Sequence, residues 1–462
     1  EFEPCPTDPL NALLCDGVTP LIDRTTGAFV PSTAATGDGA FNRTLTDSTG
    51  YGGSVQARLA GRWQSRDNVL LLGAALDDTD VNFSSTTEVG TLTPTRTVAA
   101  SGLLIGDANR FPDDIYNTGL TTTNRHRAVY LSDTLALTPR LHATLAARFT
   151  RSAIDIHDTL GTTLDGQHAF DRLNPSVGLT AEVADGATLY ASYGESSRAP
   201  TAAELSCADP EEPCRVPNAF VSDPPLAQVV SRTVEAGARG RATSMSTGSI
   251  DWSAAFYRSR IDDDIIFVAS PVLVGTGFFQ NAGSTERRGI ELDAAGTRGR
   301  VHWRASYAWT RATFQSMLAL PSNPEVNDAA TEDGLLLVEP GDRLPSVPDH
   351  GLAVALSIDL DDDWTLGADL VASSSRRLLG DEGNDQMPVP GYAIVNLLTT
   401  YRVTERLEGV LRISNLFDAD YATFGVLAEV EVPLAEAPGA DTPRFVTPGA
   451  PRGIWVGLRA RF

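Results

Sequence analysis

Lysine is missing from this 462-residue chain: all 36 basic residues are arginine, and 59 carboxylates outweigh them to give a net charge of −23. So acidic a surface repels polyanions, which argues against nucleic acid as a partner. Long apolar runs are also missing. A spanning helix needs about 20 nearly uninterrupted apolar residues, yet the most apolar stretch, IIFVASPVLVGTGFF from Ile265 to Phe279, is broken by one proline and two glycines. Helical membrane insertion is therefore not expected. Nor does the chain open on a signal segment: EFEPCPTDPLNALLC is acidic and punctuated by proline, and reads as a mature or truncated start.

Histidine and cysteine are scarce. The six histidines, His126, His142, His157, His168, His302 and His350, are scattered without zinc-ligand spacing. No catalytic constellation is present, so neither an enzyme nor a bound cofactor is expected. The four cysteines form two close pairs, Cys5 with Cys15 and Cys207 with Cys214, in polar, proline-rich segments. Such pairs suit disulfides in an oxidising compartment better than a metal site.

What is abundant is alternation with a period of two, the mark of strands with two different faces. In the last stretch Ile454, Val456, Leu458, Ala460 and Phe462 share one parity, and Gly453, Trp455, Gly457, Arg459 and Arg461 the other. Leu352 to Leu360 and Ala393 to Tyr401 read the same way. The pattern is less regular around Asp133, which has the parity of Val129, Leu131, Leu135 and Leu137 and implies a bulge or a strand end. Fifteen candidate strands follow, the first from near Gly50, one from near Phe279 and the last from Arg452.

Their connections alternate between short and long. Short ones include Thr138–Arg140, Asp185–Gly186 and Asp361–Asp363; long, polar, proline-bearing ones include 200–228, 315–349, 374–391 and 424–451. That one-sided asymmetry belongs to an antiparallel transmembrane β-barrel of the outer-membrane type, with short periplasmic turns and long outer loops. Soluble sandwiches have no reason to keep it, and their strands average about 5–6 residues. Trp63, Tyr190, Trp364, Tyr392 and Trp455 stand near strand ends, as girdle aromatics would, although ordinary packing explains each one singly. The runs Asp262–Asp264 and Asp361–Asp363 read as solvated turns, since neither has the glycine and distal glutamate of a calcium loop. Residues 316–349 carry seven carboxylates and one arginine, as a solubilising outer surface would. Arg377, a lumen-side arginine near the outer end, is a candidate ligand contact for an anionic chelate, or equally a partner for a wall carboxylate.

RISNLFDADYATFG, from Arg412 to Gly425, contains Asn415, Leu416, Phe417, Asp418 and Tyr421 in the arrangement NLFDxxY. This resembles the C-terminal element of TonB-dependent outer-membrane receptors, and the terminal Phe462 is similar to the aromatic that barrel-assembly machinery reads in that family. FQNAGSTERRGIEL (Phe279 to Leu292), SYGESSRAPTAAEL (Ser192 to Leu205), GDRLPSVPDH (Gly341 to His350) and VPGYAIVNL (Val389 to Leu397) resemble further family elements. The resemblance covers roughly residues 40–462. It implies active uptake of a scarce small-molecule ligand across the bacterial outer membrane, such as a siderophore or other metal chelate, a vitamin or an oligosaccharide. It also implies outer-membrane lipid around the wall and coupling to the TonB complex through a plug domain. A haem ligand is disfavoured, because no histidine follows the SRAP-type element within 200–228.

No plug-like segment precedes Gly50, and plugged transporters have 22 strands. The expectation is therefore about 15 strands of a 22-stranded barrel, with 1–45 in an extracellular loop, 46–462 in the C-terminal part of the wall, and the N-terminal portion and plug elsewhere. A passive porin is the alternative.

Overall fold

The computed structural model describes residues 2–16, 18–34, 38–95, 97–108, 116–162, 164–206, 226–244, 248–269, 277–428 and 442–461. One antiparallel sheet dominates. Among the described residues it has nineteen strands, four of them outside the wall (Phe2–Pro4, Leu14–Asp16, Thr19–Asp23 and Val98–Asp107), and fifteen that form the wall in chain order: β1 (Asp38–Trp63), β2 (Arg66–Leu92), β3 (Thr118–Thr138), β4 (Leu141–Asp158), β5 (Gly166–Ala184), β6 (Ala187–Arg198), β7 (Val229–Ser244), β8 (Gly248–Asp262), β9 (Ser284–Arg298), β10 (Val301–Phe314), β11 (His350–Asp359), β12 (Trp364–Ser373), β13 (Tyr392–Thr404), β14 (Leu407–Ser414) and β15 (Gly453–Ala460). Each pairs with the next in the chain. Among the described residues the outer edges of β1 and β15 do not pair with each other.

Because directly paired residues share a face, the alternation becomes rows that cross the sheet. Ile454 faces Ile413, which faces Leu397, then Ala368, Leu356 and Trp303. This face is apolar and open to the surroundings, with Val456 81% and Leu458 74% exposed. So large an exposed apolar surface needs a lipid or protein to cover it. The opposite face is polar: Tyr130 donates to Gln56, Asn396 to Asp369 and Ser306 to Asp293.

Aromatic residues divide between these faces. Trp63, Trp252, Trp303, Trp364 and Tyr401 stand on the apolar face near the short turns, with Trp364 edge-on to Tyr401. Tyr190, Tyr392 and Trp455, expected among the girdle aromatics, have the opposite parity. Tyr190 instead lies across the neighbouring strand at Gly237, where a Cβ would come within 2.7 Å of its ring.

Three local expectations change. Asp133 marks neither bulge nor strand end: β2 and β3 pair without a shift from Ser85–Thr118 to Asn68–Leu135, and the irregularity between β3 and β4 comes at Ala136–Thr138. A local partner makes this tolerable, because the Asp133 carboxylate accepts from the Asn68 side chain. The strand expected near Gly50 already begins at Asp38. The strand expected from Phe279 begins at Ser284, because Gly283 turns the chain at φ 63° and the preceding Gly277–Asn281 pairs instead with Ile265–Ala269.

The long connections have interiors of their own. Phe314 at the end of β10 is buried with Val268, Phe278, Leu320, Val338 and Leu344, joining two adjacent loops. Leu378, Val389 and Leu427 form another buried group between the last two long loops. Near the N-terminus Leu14, Leu21, Val30, Val89, Ile105 and Tyr116 form a third, where Thr19–Asp23 pairs with Val98–Asp107.

Candidate ligand-binding rim

The NLFDADY element is a hook that turns the chain out of β14. Asn415 adopts a left-handed backbone (φ 48°) and its buried side chain closes the turn, accepting from Ala419 N and donating to the Ala419 and Ala450 carbonyls. Leu416 N donates to the Val395 carbonyl, and Asp418 accepts from Arg452 N at the approach to β15. Tyr421 packs on Tyr392 with 4.6 Å between ring centroids, which explains why Tyr392 turns inward. Phe417 is 73% exposed. The element therefore fastens the last long loop to the sheet rather than contacting a ligand. Cys5 and Cys15 are joined in a disulfide. Cys207, Cys214 and Phe462 lie outside the described residues.

The loops before β11 and β13 enclose a cleft of about 470 Å3 bordered by Arg311, Arg343, Arg376 and Arg377, with Asp342 and Asn384 alongside. Most of this positive charge is already engaged. Arg377 Nη1 donates to the Asn384 and Gln386 carbonyls (2.7 and 2.9 Å) and lies 3.9 Å from Asp381. Arg376 donates to the Thr423 carbonyl and to Ser373 while lying over the Tyr392 ring. Arg343 pairs with Asp349 at 2.7 Å. Arg311 has no polar partner among the described residues, so it is the arginine here whose charge a ligand can meet uncompensated. Sequence reasoning singled out Arg377 and missed Arg311; the signal was the unusual arginine in the apolar parity of β10.

Beneath the cleft two adjacent carboxyls are buried. Burial pushes Asp381 up to about 6 even though its Oδ1 accepts from Asp385 N and Gln386 N, and burial pushes Glu382 up to about 7. Nothing in LLGDEGNDQMP marked them, since its Gly, Asp and Asn content reads as an ordinary turn. The aspartate runs are also engaged: Asp264 accepts from Thr285 and Arg287, while Asp361 accepts from the backbone of Asp363 and Trp364.

Comparison with known proteins agrees with this architecture. The pesticin receptor of Yersinia enterocolitica is 25% identical over 234 residues, covering 49% of this chain and 31% of that protein. The siderophore receptor PiuA from Acinetobacter baumannii superposes with a TM-score of 0.62 at 16% identity, over 90% of this chain and 56% of that one. For the ferric yersiniabactin uptake receptor FyuA from Yersinia pestis the values are 0.63, 17%, 92% and 55%. The match thus spans under a third of the curated relative and little more than half of the solved structures. The model of the TonB dependent receptor-like β-barrel matches residues 21–416. This chain therefore belongs to the TonB-dependent receptor family, whose members are outer-membrane transport receptors, and residues 21–416 match the β-barrel of that family.

Proposed function

We propose that the chain is the wall and ligand-capturing rim of an outer-membrane receptor that takes up a scarce metal chelate, such as a siderophore complex, with energy supplied through TonB. The observation that carries this reading is the arginine-bordered cleft at the long-loop end of a family barrel, with Arg311 uncompensated among the described residues. Chelates that carry carboxylates or phenolates suit such a site. Solved structures with the same fold include receptors for siderophores and a copper transporter, which supports a chelate over a vitamin or oligosaccharide. The segment expected as residues 1–45 is proposed to lie on the extracellular side with the long loops, its last eight residues, 38–45, opening β1. The fifteen strands are proposed to form part of a 22-stranded barrel, with its remaining strands and plug contributed by the rest of the receptor and pairing at the edges of β1 and β15. In lipid, open edges would leave backbone groups unpaired at several kcal/mol each.

Uptake of radiolabelled ferric chelates by cells with and without the gene, in the presence and absence of an uncoupler, tests this. Saturable, gene-dependent uptake that the uncoupler abolishes is expected, together with weakened binding for Arg311→Gln. Uncoupler-insensitive, unsaturable entry of unrelated small solutes would reject it in favour of a passive porin.

A further inference from the structure

The apolar face of β1–β4 is not smooth. Two adjacent rows cross it, Val55–Ala74–Val129–Phe149 and Gly53–Leu76–Arg127–Arg151, and the small residues Gly53 and Ala74 leave a trough of about 700 Å3 between larger neighbours. The trough is apolar along its length and ends at two arginines that face each other across paired strands. Like charges directly opposite destabilise a sheet. Arg127 is held by Asp78 through two contacts, at 2.6 and 2.9 Å, whereas Arg151 has no polar partner among the described residues.

The same level recurs elsewhere on this face. Arg258 faces Arg288, and Arg288 faces Arg311, which also borders the rim cleft. Arg258 meets Glu286, but Arg288 has no polar partner among the described residues. Arg127, Arg151, Arg258 and Arg288 all stand ten or eleven residues from the short-turn ends of their strands, which end at Thr138, Leu141, Gly248 and Arg298. With a rise of about 3.4 Å per residue and a tilt near 40°, that is roughly 26 Å, the height of a barrel's apolar band. The arginines thus rim the band on the side opposite the Trp63 and Trp364 girdle.

We infer that this trough holds an acyl chain of a phosphate-bearing lipid of the outer leaflet, whose phosphate sits between Arg127 and Arg151. Charge and shape point to one occupant: an apolar slot takes the chain, and the unpaired Arg151 guanidinium, beside an Arg127 already held by Asp78, takes an anionic head group bidentately. The inference concerns the lipid face and is independent of which ligand the rim captures.

Binding of dipalmitoyl phosphatidic acid and dipalmitoyl phosphatidylcholine to the purified intact receptor in mixed detergent micelles tests it, with inorganic phosphate as competitor. Phosphatidic acid is expected to bind at least about tenfold more tightly. Arg151→Gln should remove most of that preference, Arg151→Lys should keep part of it, and Val129→Trp should weaken binding by filling the trough with both arginines intact. Heat-modifiable migration on gels confirms that each variant is folded. Equal binding of the two lipids, displacement by millimolar inorganic phosphate, or unchanged binding in folded Arg151→Gln or Val129→Trp protein would overturn the inference.

Discussion

The first two wall strands and the last five reach the outer surface by different means. β1 and β2 are 26 and 27 residues long, far beyond the ~9–11 that cross a bilayer, so the wall itself continues as a paired ribbon. The five strands β11–β15 have only 8 to 13 residues, and the long connections there fold as compact loops instead. Along the ribbon, order comes from ladder hydrogen bonds between neighbours, and only its outer end is held by distant residues, with Val89 buried against Leu14, Leu21 and Ile105. In the loops it comes from distant residues: buried Asn327 donates to the Gly380 carbonyl, Leu379 pairs with Gly425 and Leu427, and Arg444 reaches the Pro388 carbonyl. The loops are therefore expected to open as a unit.

Breaking the loop interior should give the largest effect. Phe314→Ala removes a fully buried ring shared by two loops and should cost about 3–5 kcal/mol locally. Limited proteolysis should then cut within 318–338 while residues 38–92 remain intact; cutting in both places would show that the two regions are one cooperative unit. Arginine on the lipid face tests what both regions stand on. Leu131→Arg lies midway along the apolar band and should cost about 2–4 kcal/mol on refolding into vesicles, whereas Leu458→Arg, in the row of Tyr401 and Trp364, should cost about 0–1.

Acidity sharpens the contrast further. A carboxyl whose folded pKa is raised stabilises the fold below its unfolded value and loses that contribution as pH rises through the folded value. The loop around Asp381 and Glu382 should accordingly be tightest below pH 4 and loosen as pH rises through 6 to 7, by about 3 kcal/mol for Glu382. Amide exchange of 378–389 should be correspondingly better protected at pH 5 than at pH 7.5, after correction for intrinsic rates. Glu382→Gln should flatten that difference, and the ribbon should show none of comparable size. Cys5→Ser should cost about 2–3 kcal/mol for a bridge spanning ten residues, an effect confined to the N-terminal segment. Mass spectrometry without reductant should find Cys5 linked to Cys15, and Cys207 linked to Cys214.

The wall was legible because its information is local. Period-two alternation placed Ile454, Val456 and Leu458 on one face, and short turns such as Asp185–Gly186 marked where strands reverse. Asp133 misled because parity cannot reveal that Asn68, 65 residues away, supplies a hydrogen bond. Phe279 misled because an apolar run reads equally as wall strand or loop interior, and a turn at Gly283 decides between them. The rim was barely legible. Whether Arg377 is offered to a ligand or tied to backbone carbonyls depends on the fold of 381–386, which carries no periodic signal.

The cross-links among the last three long loops bear on how this rim can evolve. An insertion in a paired ribbon, away from its buried outer end, is borne by ladder neighbours alone. A comparable insertion near Asn327, Leu379 or Arg444 displaces a residue that holds another loop. Selection by phages, toxins or antibodies that grip the exposed surface can therefore vary the ribbon one change at a time, whereas in the three loops escape requires paired substitutions, and lineages should show them arriving together.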